Sequence, residues 1–299
     1  MKCFLSTFAW LLLLVGMGRV AANNELLQQG EYIFFAAGCI TCHTVDQPLA
    51  GGRAIDSPFG TFYTPNITPS QEYGIGNWTQ EDLIRALREG ISPEGKHYYP
   101  AFPYPSYTKM SRTDIIALYT YLMEQPAIPK DNRPHELVWF LSNRSMIALW
   151  KQFWFSPGEL QSDPNESSEW NRGEYISMAL GHCGECHTPR GALGDPLMDR
   201  YLSGTFKGQW GIQAPDITPD VETGIGSWSQ GDREIFLATG RKPDGSYAND
   251  LTMVVLETTC MRLTDYDLNG LALYLSSSQL VHKNLDATDD PFHDPDFYE

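Results

Sequence analysis

Positive charge is scarce in this chain. Its 299 residues carry 21 Lys and Arg against 37 Asp and Glu, a formal net charge of -16 at pH 7. A surface so short of cations repels phosphate backbones, which excludes nucleic acid as a partner class. Cysteine is sparse as well, with six in the whole chain, too few for a disulfide scaffold of this length. No stretch after the first residues reaches the roughly 20 apolar positions that a helix needs to cross a bilayer. A Ser/His/Asp arrangement, a Walker loop and a dinucleotide fingerprint are all missing, which argues against the common hydrolase and nucleotide-binding classes.

The one apolar run, Phe4 to Val15, follows Met1-Lys2 and precedes Val20-Ala21-Ala22. A charged start, a short hydrophobic core and a small-residue boundary predict a secretory signal over residues 1–22, cleaved after Ala22, and a periplasmic protein. Cys3 leaves with that segment. At the other end, residues 286–299 read as an acidic, Pro-containing tail.

The remaining cysteines are not scattered. Cys39-Ile40-Thr41-Cys42-His43 recurs as Cys183-Gly184-Glu185-Cys186-His187, each followed by Thr. C-x-x-C-H is the attachment signature of a c-type haem. Two thiols at this spacing add across the two vinyl groups of one porphyrin and bring the next residue, a histidine, beneath the iron. Cys39, Cys42, Cys183 and Cys186 are therefore expected to attach two covalent haem c groups, with His43 and His187 as proximal iron ligands. Cys260 is left without a disulfide partner and is expected as a buried thiol.

The repetition extends well beyond the motifs. Pro65-Asn66-Ile67-Thr68-Pro69 matches Pro215-Asp216-Ile217-Thr218-Pro219, Gly74 to Trp78 matches Gly224 to Trp228, and Gly90 to Gly95 matches Gly240 to Gly245. The chain reads as a duplication. In each copy a helix with Gly-Glu-Tyr enters the haem motif and a Gly/Pro-rich loop follows. A second helix is then capped by Thr79 or Ser229, and a last helix by Ser111 or Thr264. Between the copies, residues 126–169 hold Trp139, Trp150, Phe153 and Trp154. They are expected as a helical linker packed on both sides, or as an apolar docking face for a dehydrogenase or a membrane surface.

With Trp170-Asn171-Arg172-Gly173-Glu174-Tyr175, Gly181-His182-Cys183-Gly184-Glu185-Cys186-His187-Thr188-Pro189-Arg190 and Tyr99-Pro100-Ala101-Phe102-Pro103-Tyr104 in view, the chain resembles one family. It is similar to the cytochrome c subunits of bacterial membrane-associated dehydrogenases that oxidise alcohols, sugars, sugar acids or aldehydes. The resemblance implies a mainly α fold of two tandem class I cytochrome c-like domains, at 23–125 and 170–285, joined by the aromatic linker at 126–169. It also implies electron relay from a dehydrogenase catalytic subunit to another cytochrome, an oxidase or a quinone pathway, with peripheral membrane association and no catalytic residues of its own. Relatives commonly carry three haems, whereas this chain has no third C-x-x-C-H, which points to a shorter relay.

The sixth iron ligands are less legible. Met253, expected in a loop before the last helix, is favoured over Met261 in the second copy. In the first copy Phe102 stands in the Pro-Ala-Met-Pro slot and cannot bind iron. Met110, His97 and, behind them, Lys109 or Tyr104 remain as candidates. An open first haem would instead suit a di-haem enzyme of the peroxidase or thiosulfate dehydrogenase type. Arg53 and Arg190, which follow the two motifs, are candidates for pairing with propionates.

Overall fold

The computed structural model describes residues 23–205 and 213–280. The expected signal segment and acidic tail lie outside the described residues. The described residues are mainly helical, with one small antiparallel sheet.

In the first half, helix α1 (23–36) leads into the short α2 (Cys39–His43), and a hairpin of β1 (Ala54–Ser57) and β2 (Gly60–Tyr63) follows. Next come α3 (Gln80–Glu89), α4 (Tyr104–Tyr107) and α5 (Arg112–Met123). β3 (Glu136–Leu137) adds to the hairpin through Gly60↔Leu137 and Thr61↔Glu136. α6 (Ser145–Trp154) then leads to the second half. There, α7 (Ser168–Tyr175) runs on through a wide π turn at Ile176–Leu180 into α8 (Gly184–His187). α9 (Gln230–Thr239), α10 (Asp250–Thr258) and α11 (Asp265–Tyr274) complete the described chain.

Local chemistry sets these boundaries twice over. Thr79 and Ser229 each accept the amide of the third helical residue, Asp82 or Asp232, whose carboxylate returns the bond to the cap. This reciprocal box satisfies donors that the helix itself leaves bare. Ser111 and Thr264 accept from Asp114 and Asp267 in the same way at the start of α5 and α11.

The first and last helices of each half cross at glycine. A Cβ on Gly30 would stand 2.1 Å from the Ala117 carbonyl oxygen, and one on Gly173 would stand 1.9 Å from that of Gly270. Only a residue without a side chain lets the backbones approach this closely. Around these crossings Ile33, Met110, Ile115, Leu118, Ile176, Leu180 and Leu271 form part of one buried cluster that spans both halves. Full burial of one such side chain is worth about 1.5–3 kcal/mol.

Residues 126–169 do more than connect. β3 belongs to the sheet of the first half, so that sheet crosses the boundary expected at 125/126. Lys151 on α6 donates to the Glu89 and Gly90 carbonyls at 2.6 and 2.7 Å, closing the C-terminus of α3, while the Trp150 indole donates to the Leu193 carbonyl of the second half at 3.1 Å. The opposite side of α6 exposes Met146, Leu149 and Phe153.

The halves also clasp each other directly. The Tyr175 hydroxyl, from α7, donates to Asp114 on α5 at 2.6 Å, and the Tyr32 hydroxyl, from α1, donates to Asp267 on α11. The tyrosines occupy the same place in the repeated Gly-Glu-Tyr and the aspartates the same place in the last helices, so one contact is made reciprocally.

Candidate haem-binding site

The two C-x-x-C-H turns are built alike. The Nδ1 of His43 lies 2.8 Å from the Pro65 carbonyl oxygen, and the Nδ1 of His187 lies 2.7 Å from that of Pro215. A carbonyl oxygen only accepts, so each bond assigns the ring proton to Nδ1 and leaves the Nε2 lone pair free to bind metal. The prolines begin the repeated Pro-x-Ile-Thr-Pro segments, and the next residue stiffens each turn. The Asn66 side chain accepts from the amide and hydroxyl of Thr68 at 2.9 and 2.7 Å, and that of Asp216 accepts from those of Thr218 at 2.7 and 2.6 Å.

The loop after each motif is pinned in parallel. Gly51 donates to the His43 carbonyl and Gly204 to that of His187, both at 2.8 Å. Leu49 and Leu202, buried two residues earlier, hold left-handed backbones at φ 59° and 65°. A non-glycine residue there costs on the order of 1–3 kcal/mol and persists only where its surroundings over-determine it. Leu49 donates to the Thr44 hydroxyl at 3.2 Å and Leu202 to that of Thr188 at 3.1 Å. The one trace of this pair in the sequence is the Leu-x-Gly shared by Leu49–Gly51 and Leu202–Gly204.

None of the four motif cysteines, nor Cys260, is paired in a disulfide. Burial pushes the Cys39 and Cys186 thiols up to about 12 and raises those of Cys42 and Cys183. Burial also holds the His43 and His187 imidazoles below the usual histidine range, partly countered by their proline carbonyls. A structural zinc centre needs four converging ligands, and among the described residues no group of three or more His, Cys, Asp or Glu side chains is placed to hold a metal ion. Paired free thiols beside one neutral, oriented imidazole suit an iron whose equatorial ligands come from a porphyrin. The residues fit haem c.

Other residues singled out from the sequence fall around these turns. Arg190 pairs with buried Glu185 at 2.7 Å while its Nε is buried without a partner, leaving a donor for an acidic group. Arg53 donates to the Thr44 carbonyl at 3.3 Å. Met110 is wholly buried in the main core, directly before the Ser111 cap. His97 bridges Ile91, and its carbonyl accepts from Arg144 at 2.8 Å while its Nδ1 is buried without a partner. Lys109 is pushed below the usual lysine range by burial, and Tyr104 is buried under the Lys151 ammonium.

Met253 does not lie in a loop. Asn249 accepts from the Thr252 amide and starts α10 there, because an Asx cap followed by Leu, Met and Val favours helix. The Met253 sulfur lies against the backbone of Gly240, much as the Tyr104 ring lies against Gly90. Met261 sits in the 3-10 turn Cys260–Arg262. Phe102 packs against the rings of Tyr104 and Tyr107.

Residues 27–126 match the family model described as Cytochrome c. The chain is 38% identical over 262 residues to the fructose dehydrogenase cytochrome subunit of Gluconobacter japonicus, covering 86% of this chain and 53% of that one. It is 39% identical over 284 residues to the cytochrome c subunit of the quinone-dependent alcohol dehydrogenase of Gluconobacter oxydans, covering 90% and 58%. It thus spans little more than half the length of those two subunits. To a protein of Cereibacter sphaeroides named as a diheme c-type cytochrome it is 38% identical over 259 residues, covering 83% of this chain and 84% of that one. The chain therefore belongs to the cytochrome c family that includes these dehydrogenase cytochrome subunits and this diheme cytochrome, and it carries covalently bound haem c.

Proposed function

We propose that the chain is a periplasmic di-haem c-type cytochrome that takes electrons from a dehydrogenase catalytic subunit and passes them to a downstream acceptor. The observation that carries this reading is the duplicated anchoring of His43 by Pro65 and of His187 by Pro215. One anchored histidine behind a C-x-x-C pair suits one haem, and the geometry occurs twice. A diheme relative matched over most of both chains gives further support.

Bound haem supplies one-electron chemistry. The chain's own residues do the rest. Cys39, Cys42, Cys183 and Cys186 would hold the groups covalently, His43 and His187 would ligate the irons, and Arg190 would offer its unpaired Nε to a propionate. The apolar core keeps water away. Met110 and Met253 are assigned as the sixth ligands, with His97 and Met261 as their competitors. Met110 is favoured because it belongs to the main buried core with Phe34, Leu49 and Leu118, whereas His97 lies outside that core, its backbone carbonyl held by Arg144. Met253 is favoured because, with Gly90 set against Gly240, it falls one residue beyond the position equivalent to Phe102. The tandem domains at 23–125 and 170–285 and the cleaved signal at 1–22 complete this reading.

Intact mass of the purified protein tests it. Two haem additions that resist acid-acetone extraction support the relay, and one addition overturns it. Co-purification of a dehydrogenase subunit names the donor. The alternative is a di-haem enzyme of the peroxidase or thiosulfate dehydrogenase type. Against it, Glu185, the buried carboxylate within the second motif, is held by Arg190 and by the Ser106 hydroxyl at 2.8 Å.

A further inference from the structure

The residue before each C-x-x-C-H turn has a left-handed backbone, Gly38 at φ 64° and His182 at φ 39°. These positions are equivalent in the repeat, but one has no side chain and the other an imidazole. They also face each other. A Cβ on Gly38 would lie 3.7 Å from His182 Nε2 and 3.4 Å from Thr259 Cγ2. The space that the first half leaves empty is filled from the second.

His182 holds a conformation that glycine adopts freely and that a side chain disfavours. The backbone alone would be better served by Gly, as at residue 38, so the ring is the reason for the histidine. That ring stands edge-on to Tyr107, with centroids 5.5 Å apart and planes at 77°. The Tyr107 hydroxyl donates in turn to the Ala37 carbonyl, one residue before Gly38, at 2.7 Å. Further along the same seam the Thr41 and Thr258 hydroxyls meet at 2.6 Å. One covalent step from Cys183 and in contact with the turn that starts at Cys39, His182 fills the gap between the two attachment turns.

We propose that His182 is a positioning residue for electron passage between the two haem sites, with its ring as the spacer that registers the second attachment turn against the first. The proposal rests on the two-haem reading above. Tunnelling decays exponentially with edge-to-edge distance and faster across a void than through packed atoms, so a spacer at this seam governs both gap and filling. The ring takes no electron and gives no proton; the one electron lost at one haem is the one gained at the other.

The test compares His182→Gly with His182→Phe in the full haem-loaded protein. Intact mass gives the haem count, electron paramagnetic resonance gives the magnetic interaction between the ferric centres, and thermal unfolding reports the fold. His182→Gly relieves backbone strain but empties the space that the ring fills, so it is expected to keep both haems at a lower thermal midpoint while losing the spin–spin interaction. His182→Phe keeps the ring and is expected to keep the interaction. A wild-type interaction in His182→Gly, or its equal loss in both variants, overturns the proposal. If His182→Gly does not fold, His182→Asn, which tolerates the left-handed backbone, replaces it with the same two outcomes. One haem in the wild-type protein defeats the two-haem reading instead, a result seen by mass alone.

Discussion

Tyr175, in the second half, donates its hydroxyl proton to Asp114, in the first, at 2.6 Å, and the Ser111 amide donates to the Tyr175 oxygen at 3.0 Å. Ser111 caps α5 and Asp114 is its third helical residue, so the start of that helix doubles as a socket for the other half. The reciprocal socket is Asp267 with Thr264, whose amide donates to the Tyr32 oxygen at 3.3 Å. Tyr175→Phe leaves buried Asp114 with the Gln29 amide alone at 2.8 Å. An acceptor stripped of one partner in this way costs on the order of 1–3 kcal/mol. Tyr32→Phe should cost less, because Arg172 keeps two bonds to Asp267 at 2.9 and 2.7 Å. Urea titration of both variants checks the order, and a larger loss in Tyr32→Phe would refute it.

The same clasp predicts an alkaline slope. Burial, and then the Asp267 carboxylate, push the Tyr32 phenol from 10.0 up to about 12. Unfolded tyrosine ionises near 10 while the folded residue keeps its proton, so the unfolded state binds fewer protons in between. The stabilising contribution is whole below pH 10 and is lost as pH rises through about 12. Lysines titrate in the same window, so the measurement is a difference. The stability advantage of wild type over Tyr32→Phe should shrink across that window and stay flat below it.

Glycines of one sequence type should respond in opposite ways. Gly173→Ala drives a methyl into the Gly270 carbonyl, 1.9 Å from where its Cβ would stand, and Gly30→Ala does the same at Ala117, at 2.1 Å. Separating packed helices costs about 1–3 kcal/mol or more. Gly231 lies within α9 with its nearest neighbour, the Ser229 hydroxyl, at 3.9 Å. Gly231→Ala is therefore expected to gain roughly 0.4–1 kcal/mol by restricting the unfolded chain. Thermal midpoints of the three variants decide this; a stabilised Gly173→Ala would contradict the crossing.

These contrasts mark what the sequence made legible. Period and cap chemistry are local, so the caps at Thr79, Ser111, Ser229 and Thr264 could be read before any coordinates. The two C-x-x-C-H turns could be singled out because the motif compresses its chemistry into five adjacent positions. Strained Leu49 and Leu202, the seam between Gly38 and His182, and the tyrosine sockets depend on residues far apart in the chain. Tyr32 and Asp267 are separated by 235 positions, and neither residue type announces the other. The strand at Glu136–Leu137 was hidden for the same reason: two residues carry no period, and only pairing with Gly60 and Thr61 makes them a strand.

The sixth ligands are to be settled by paired substitutions. A thioether bound to ferric iron gives a weak far-red charge-transfer band and a higher potential than a second imidazole would. If Met110 binds the first haem, Met110→Leu removes that haem's band and exposes its iron to carbon monoxide, while His97→Ala leaves both haems unchanged. Leucine keeps most of the buried volume at Met110, which is fully enclosed, so a packing role alone would leave the spectrum intact. His97→Ala changing the spin state of one haem would transfer the ligand role to that histidine. In the second half, Met253→Leu should abolish the other band and lower that centre's potential, with Met261→Leu silent. The reverse pattern would move the ligand to the Cys260–Arg262 turn and leave Met253 as packing against Gly240. Magnetic circular dichroism on the four variants resolves the haems separately, because only loss of a true ligand changes the spin state of one haem while the other stays as it was.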